Sequence, residues 1–230
     1  MVIITPEFNN DFIETLRNNT LDKLGYRDAN NAIPLEIERT LDEALTVAKK
    51  VVRPKGIYHI IPVLETNRHG IKTEAGIIQS VMFSRLAGMC SGNCLIVFMI
   101  ATLGIEFERA CGDNTPVIRQ LVFDTVGSEC AEMVADMIEA DWRNRIDSQG
   151  LQCSWRFSPG YCDWGLEGQK VIFKTLDAKL INMSLSPYLV MVPSKSISAV
   201  ALLAKDVPVP APCVFCAKKN CPWRRLPWKS

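Results

Sequence analysis

The longest apolar run in the sequence extends from Cys94 to Leu103. It covers about ten residues, roughly half of what a membrane-spanning helix requires. Gly104 follows it directly, and a short run bounded by a turn residue is typical of a buried strand. Because periodicity alone does not separate such a strand from a buried helix, length decides the interpretation. The run predicts a buried strand in a folded domain and no membrane span.

The composition predicts a globular chain with a substantial core. Of 230 residues, 48% are apolar and 22% are charged, which suffices for one large domain or two small ones. A mean hydropathy of +0.08 excludes an intrinsically disordered chain. Lys and Arg number 26 against 25 Asp and Glu. The near-zero net charge creates no field that attracts a polyanion, so we expect no nucleic-acid partner.

Cysteine usage and the N-terminal sequence predict a reduced, cytoplasmic protein. The nine cysteines fall below the density of a disulfide scaffold, and their odd number favours free thiols. The first residues lack a basic segment followed by a sustained apolar one, so we expect no secretory signal. Reduced thiols are the usual state in the cytosol.

Apolar residues spaced three and four apart predict several helices. The clearest is residues 35–52, with Ile37, Leu41 and Leu45 on one face. The other predicted helices are residues 73–86, residues 115–145, as one helix or two in succession, and residues 168–176. In the third, small side chains from Gly127 to Ala131 predict close packing of another helix.

Strands are predicted from β-branched and apolar runs. Residues 57–64 contain Pro62, which predicts an edge or irregular strand because proline cannot donate to a ladder. The remaining strands are predicted at residues 153–157, 182–192 and 196–203. Together these elements predict one α+β domain over residues 1–206. A proline-rich linker and a cysteine tail over residues 207–230 complete the predicted organisation.

A turn sequence from Arg156 to Tyr161 is the first candidate site. Pro159 followed by Gly160 predicts a type II turn, since glycine tolerates a positive φ. The turn would project Tyr161 beside a guanidinium, which binds carboxylates bidentately. The alternative is a structural β-turn in which Tyr161 is half-buried and Arg156 pairs with a surface acid.

The segments RFSPGY, Gln169-Lys170 and LSPYLVMVPSKSISAV resemble the activation domain of cobalamin-dependent methionine synthase. The resemblance covers roughly residues 20–203 and is strongest to short free-standing members. It implies a twisted, mainly antiparallel sheet flanked by helices. It also implies an accessory role in reductive reactivation, in which S-adenosylmethionine donates a methyl group to cobalamin. The cobalamin belongs to a partner, a methionine synthase core or another corrinoid methyltransferase, and a flavodoxin-like or ferredoxin-like protein donates the electron.

The same resemblance implies roles for individual residues. Arg156 would hold the methionyl carboxylate, and Ser158, Pro159 and Gly160 would line the ligand. Tyr161 would approach the methyl donor or the cobalt, as the candidate catalytic residue. Glu129 is a further candidate, for the amino group or the ribose, and its alternative is a solvated helix residue.

Three departures from the family pattern favour an alternative function. The family's Pro-Ala-Cys-Pro after the turn is replaced by Cys162, Asp163, Trp164 and Gly165. An acidic residue near the family domain's start and an aromatic pair near its end have no match. A chain that has kept the fold and lost the ligand would be a non-catalytic docking scaffold for a corrinoid protein.

The tail carries the second candidate site. Cys213, Cys216 and Cys221 form a C-x2-C-x4-C pattern that suits zinc or an iron–sulfur cluster. A fourth ligand would come from elsewhere, with Cys90, Cys94, Cys111, Cys162, a histidine and a partner protein as alternatives. Redox-active thiols and a passive tail are the competing interpretations. A metal or redox module acting on a corrinoid protein is therefore the second functional hypothesis, and whether the chain is an enzyme by itself stays open.

Overall fold

The computed structural model describes residues 1–26, 32–112, 115–208, 215, 216, 218 and 220. They form an α+β fold with a mainly antiparallel sheet flanked by helices, as predicted. Within those ranges, no helix is long and apolar enough to span a bilayer. The helices are α1 (Asn10–Lys23), α2 (Leu35–Val51), α3 (Val81–Met89), α4 (Ile105–Cys111), α5 (Val117–Asp147) and α6 (Gly168–Thr175). The strands are β1 (Val2–Ile4), β2 (Lys55–Pro62), β3 (Glu65–Asn67), β4 (Gly70–Thr73), β5 (Gly76–Ile78), β6 (Leu95–Thr102), β7 (Gln152–Cys153), β8 (Ser184–Leu185), β9 (Met191–Val192) and β10 (Ser196–Ala204).

The main sheet has five strands in the order β1-β2-β6-β10-β7, and every neighbouring pair is antiparallel. The apolar run predicted as a strand is β6, the central strand, so that prediction is confirmed. The prediction for residues 57–64 was wrong, because β2 lies inside the sheet between β1 and β6. Pro62 is the last residue of β2, where a missing N–H interrupts no interior pairing.

Two helical layers cover the two faces of this sheet. Along β6, side chains alternate between the layers, with Val97 and Met99 in one core and Ile96 and Phe98 in the other. The first core is formed with α1, α2 and α5, and the second with α3 and α6. A strand buried on both faces reads as a continuous apolar run, which explains the sequence of β6.

The long predicted helix is a single element of 31 residues, α5. Its small residues allow close packing, as predicted. A Cβ atom added to Gly127 would lie 2.8 Å from the ring of Phe107 on α4 and 3.0 Å from Cε of Lys195. The close approach therefore involves a helix and a loop.

Two predicted elements differ from the structure. Residues 73–86 contain the β4–β5 hairpin turn and only the first part of α3, which begins after Ser80 accepts a hydrogen bond from the Phe83 N–H at 3.0 Å. Residues 182–192 form the short pair β8–β9 instead of one strand. A turn separates them, in which Leu189 has a φ of 63° and donates its N–H to the Ser186 carbonyl.

Of the other predicted elements, three are confirmed, one strand is shorter than predicted, and the domain boundary is not tested. Helices 35–52 and 168–176 and strand 196–203 are confirmed as α2, α6 and β10. The strand at 153–157 is shorter, because pairing with β10 is limited to β7 and a bridge between Phe157 and Val200. Residues 209–214 and 221–230 lie outside the described part of the chain, so the boundary at residue 206 stays a prediction.

Candidate functional site

Arg156 lies at the meeting point of the segment after β7 and helix α5. Its side chain is only 6% exposed, and its guanidinium contacts three carboxylates of α5. Nε lies 2.9 Å from Glu139, while Nη2 lies 3.3 Å from Glu132 and also contacts Asp136. The alternative in which Arg156 pairs with acidic side chains is confirmed in that respect.

One nitrogen of the same guanidinium lacks a hydrogen-bond partner among the described residues. Nη1 of Arg156 is buried and forms no hydrogen bond within the described structure, which is costly for a charged group. Arg156 also lines an open cavity of about 380 Å³ together with Asp136, Glu139, Arg143 and Trp155. That volume falls within the usual range of small-molecule sites.

Arg143 completes the charge arrangement on the far side of the cavity. Its Nη2 lies 2.6 Å from Glu139, and it donates a 3.2 Å hydrogen bond to the Ser154 carbonyl. Glu139 thereby bridges Arg143 and Arg156 and is only 16% exposed. The wall of the cavity combines fixed positive and negative groups, which suits a zwitterionic ligand.

Glu129 extends the acidic face of α5 toward the start of the helix. Residues 129, 132, 136 and 139 follow one another at steps of three and four, so they share a face. Burial raises the pKa of Glu129, and the carboxylates of Glu132 and Asp136 raise it further against the lowering effect of Lys23. Glu129 is 15% exposed and lies 3.7 Å from Lys23. It is therefore a half-buried, paired residue and not a solvated one.

The predicted turn has the expected glycine conformation. Gly160 has a φ of 93°, and its N–H donates to the Trp164 carbonyl at 2.7 Å. The Tyr161 N–H donates to the Ser158 carbonyl at 3.3 Å. Pro159 is buried and Ser158 is intermediate, whereas the Tyr161 residue is 43% exposed. The turn presents the phenol ring at the surface.

Asp163 ties this turn to helix α3. Its carboxylate accepts hydrogen bonds from the Ser80 hydroxyl at 2.6 Å and the Met82 N–H at 3.0 Å. A carboxylate at a helix N-terminus is favoured by the helix dipole and by the unpaired N–H groups there. Cys162, immediately before it, has a φ of 53°, an unusual conformation for a residue with a side chain.

Trp164 anchors the other end of the turn. It is 2% exposed, and its ring stacks on Phe157 with centroids 5.3 Å apart. Phe157 in turn stacks on Phe83 of α3 at 5.1 Å. Gly168 is required beneath the indole, because an added Cβ would lie 2.3 Å from the Trp164 ring. The turn is thus fixed by a polar and an aromatic anchor.

The cysteine tail is described only in part. Cys213 and Cys221 lie outside the described residues, while Cys216 is buried at 9% exposure. Phe215 packs on the core beneath α3 and α6, and the Arg85 guanidinium lies 4.5 Å from its ring centroid. In the described part of the chain, no group of three potential ligands is arranged for a metal ion. The tail site stays a prediction.

Several residues of the site were missed in the sequence. Glu132, Asp136 and Glu139 follow Glu129 at helical spacing, and this acidic periodicity was a signal for one charged face. Asp163 gave no such signal, because its partners on α3 are more than eighty residues away. Only the three-dimensional structure brings the three carboxylates to Arg156 and ties Asp163 to the start of α3.

No family model and no curated protein matches the chain by sequence. Solved structures do match by fold. One of them is a crystal structure of the MetH reactivation domain bound to AdoHcy, with a TM-score of 0.59 and 17% sequence identity. The match covers 87% of this chain and 78% of that one. At this identity the likeness establishes a shared fold.

Proposed function

We propose that this chain is an accessory subunit for reductive reactivation of a corrinoid-dependent methyltransferase of the methionine synthase type. It binds S-adenosylmethionine and presents the methyl group to a cobalamin held by a partner protein. A flavodoxin-like or ferredoxin-like protein supplies the electron, and the system operates in the cytoplasm. The chain acts as part of a methyltransferase system and not as a stand-alone enzyme.

The observation that carries this proposal is the burial of the Arg156 side chain beside an open cavity, in a chain that shares the fold of the MetH reactivation domain. Arg156 lies three residues before Pro159, its side chain is 6% exposed, and it lines a cavity with one guanidinium nitrogen that has no hydrogen-bond partner in the described structure. A fork of N–H donors in a partly desolvated site is well suited to a carboxylate. The methionyl carboxylate of S-adenosylmethionine is the group that Arg156 would hold.

The charges around the cavity fit the rest of this ligand. S-adenosylmethionine carries an ammonium and a sulfonium cation besides its carboxylate. The acidic face of α5, with Glu129, Glu132 and Asp136, offers complementary negative charge beside the guanidinium of Arg156. Glu129 is the candidate for the amino group or ribose, and Ser158, Pro159 and Gly160 would line the ligand.

Tyr161 would act at the side of the site that meets the partner. It is 43% exposed and stands on an anchored turn, so a docking protein would meet it at the surface. The partner's corrinoid supplies the cobalt that accepts the methyl group. This chain's own contribution is to bind the sulfonium ligand and orient its methyl group.

Calorimetric titration with S-adenosylmethionine tests the ligand half of the proposal. We expect the wild type to bind and Arg156→Ala to lose about tenfold to a hundredfold in affinity, the range for a charged hydrogen bond. Arg156→Lys keeps the charge without the fork and would also bind weakly. Arg109→Ala is the control, since the Arg109 side chain is 68% exposed and, among the described residues, its ion pair is with neighbouring Glu106. No binding by the wild type would reject this function and favour the docking scaffold, in which Arg156 serves only its own carboxylates.

A second candidate function is a metal or redox module in the tail. The packing of Phe215 against the domain and the burial of Cys216 favour it, because they anchor part of the C-x2-C motif to the folded core. Zinc or an iron–sulfur cluster held by Cys213, Cys216 and Cys221 would act on the same corrinoid protein. Anaerobic purification followed by zinc, iron and sulfide analysis tests it. Stoichiometric metal that is lost in Cys216→Ser but kept in Cys153→Ser would support this function, and absence of metal would reject it.

A further inference from the structure

The three carboxylates around Arg156 differ in how firmly the protein holds them. Glu139 is 16% exposed and is shared with Arg143, at 2.6 Å, so two guanidinium groups fix it. Asp136 is 67% exposed and Glu132 is 44% exposed. Ion pairs with such exposed partners contribute little net free energy. The inner carboxylate is therefore a fixed support, and the outer ones are exchangeable.

Asp136 is the outer carboxylate that lies in the path of a ligand. It lines the cavity beside Arg156, whereas Glu132 does not. It contacts Nη2 of Arg156 directly, while the Glu132 oxygen lies 3.3 Å from the same nitrogen. An incoming carboxylate needs N–H donors of this guanidinium, and Nε already serves Glu139 at 2.9 Å. Nη1 has no hydrogen-bond partner in the described structure, so a carboxylate that bridges both terminal nitrogens binds Nη1 and must also take over the Nη2 donor that Asp136 uses.

We infer that Asp136 occupies, in the ligand-free protein, the position on Arg156 that the ligand's carboxylate takes, and that Glu139 holds the guanidinium in place for the exchange. The inference rests on the proposed function, because it assigns roles within the same site. Asp136 then competes with the ligand, and its competition lowers the apparent affinity by the fraction of molecules in which Arg156 is open. Glu139 is a positioning residue that acts through Arg156.

The two roles give opposite mutational effects. Asp136→Asn keeps the shape and removes the competing charge, so we expect S-adenosylmethionine to bind about threefold to tenfold more tightly. Glu139→Gln frees Nε and loosens the guanidinium, so we expect about tenfold weaker binding, as for a lost charged hydrogen bond. Glu106→Gln, on the exposed pair with Arg109, is the matched control and should leave the affinity unchanged. Titration calorimetry measures all four proteins.

A second measurement tests the contact between Asp136 and Arg156 without any ligand. Phenylglyoxal modifies accessible guanidinium groups, and peptide mass spectrometry reports its rate at Arg156. We expect slow modification in the wild type, where the side chain is 6% exposed, and a severalfold faster rate in Asp136→Asn. Arg109 serves as the internal reference for an exposed guanidinium in each sample.

The outcomes separate this inference from the proposed function. If the wild type does not bind S-adenosylmethionine, the proposed function fails, and the assignment of Asp136 as a competitor for that ligand fails with it, even if the modification rate changes. If the wild type binds, but Asp136→Asn binds equally or more weakly, the function stands and the inference is overturned. Tighter binding together with faster modification supports both.

Discussion

Arg156 lies in the segment after β7, and Tyr161 lies on the turn five residues further along the chain. The surroundings of the two residues are built differently. Arg156 is 6% exposed and is bound by carboxylates of α5 on one face of the sheet. Tyr161 is 43% exposed, and its turn is tied through Asp163 to α3, which packs on the opposite face. One region is suited to holding a ligand and the other to presenting it.

Under the proposed function, this difference would let a short motif carry two tasks without mutual interference. A buried guanidinium needs fixed counter-charges, since an unpaired buried charge is strongly destabilising. A surface aromatic that meets a partner instead needs a rigid backbone beneath an exposed ring. Because the two anchors belong to different helices, the regions can be disrupted separately.

The largest expected loss of stability comes from removing the Arg156 side chain. Arg156→Ala would remove one of the two guanidinium groups that hold the half-buried Glu139, so we expect the free energy of unfolding to fall by about 3 kcal/mol. Urea denaturation measures it, with Arg109→Ala, an exposed pair, as a control expected to lose less than about 1 kcal/mol. Equal losses in the two variants would contradict the view of Arg156 as a buried, supported charge.

Disruption of the turn should lower the free energy of unfolding by less than Arg156→Ala does. Asp163→Ala removes two hydrogen bonds at the start of α3, which corresponds to about 1–2 kcal/mol for a lost helix cap. We also expect faster hydrogen exchange of the Gly160 and Trp164 amides, with little change around Arg156. Asp177→Ala is the matched control, because Asp177 precedes a helical turn without forming a cap hydrogen bond. Unchanged exchange at the turn in Asp163→Ala would show that the aromatic anchor suffices.

A pH series on Glu129 sharpens the account of the acidic face. Burial raises the pKa of this carboxyl above its ordinary value of 4.5, so its charged form is disfavoured in the folded state. Its contribution is most favourable below that value, where it is protonated both folded and unfolded, and is lost as the pH rises through the folded pKa. Glu129→Gln should therefore be more stable than the wild type at neutral pH and equally stable near pH 4. A constant difference across the range would contradict this explanation.

The smallest effect on stability is expected at the tip of the turn. Tyr161→Phe removes only a hydroxyl from an exposed ring, so the free energy of unfolding should change by less than about 0.5 kcal/mol. Affinity for S-adenosylmethionine should stay within about twofold, while methyl transfer to a partner's corrinoid falls. A variant that transfers methyl groups at the wild-type rate would remove the phenol hydroxyl from the proposed chemistry.

The parts of the fold that the sequence predicts are those with a local pattern. The apolar run of β6 follows from burial on both faces, and α2 follows from its single apolar stripe. The helix predicted at 73–86 was too long because its apolar spacing also fits a tight hairpin. Gly76, with a φ of 149°, and the cap residue Ser80 mark the true boundary.

The site was predictable only where it is contiguous in the chain. Arg156 and the Pro-Gly turn stand together in the sequence, and a turn at Gly160 follows from the need for a positive φ. The ion pairs of Arg156 cannot be predicted from the sequence in this way, because Glu132 and Asp136 lie 24 and 20 residues from Arg156 along the chain. Which face of α5 meets the strand segment depends on how the helix packs on the sheet. Packing of that kind is a property of the whole domain.

The most direct test of the central claim follows the methyl group itself. A methionine synthase core without its own reactivation domain would be loaded with cob(II)alamin and supplied with titanium(III) citrate and methyl-labelled S-adenosylmethionine. We expect label to be recovered with the corrinoid only when this chain is added, and Arg156→Ala to lose most of that transfer. Equal labelling with and without the chain, or no labelling although the chain binds the ligand, would contradict the account.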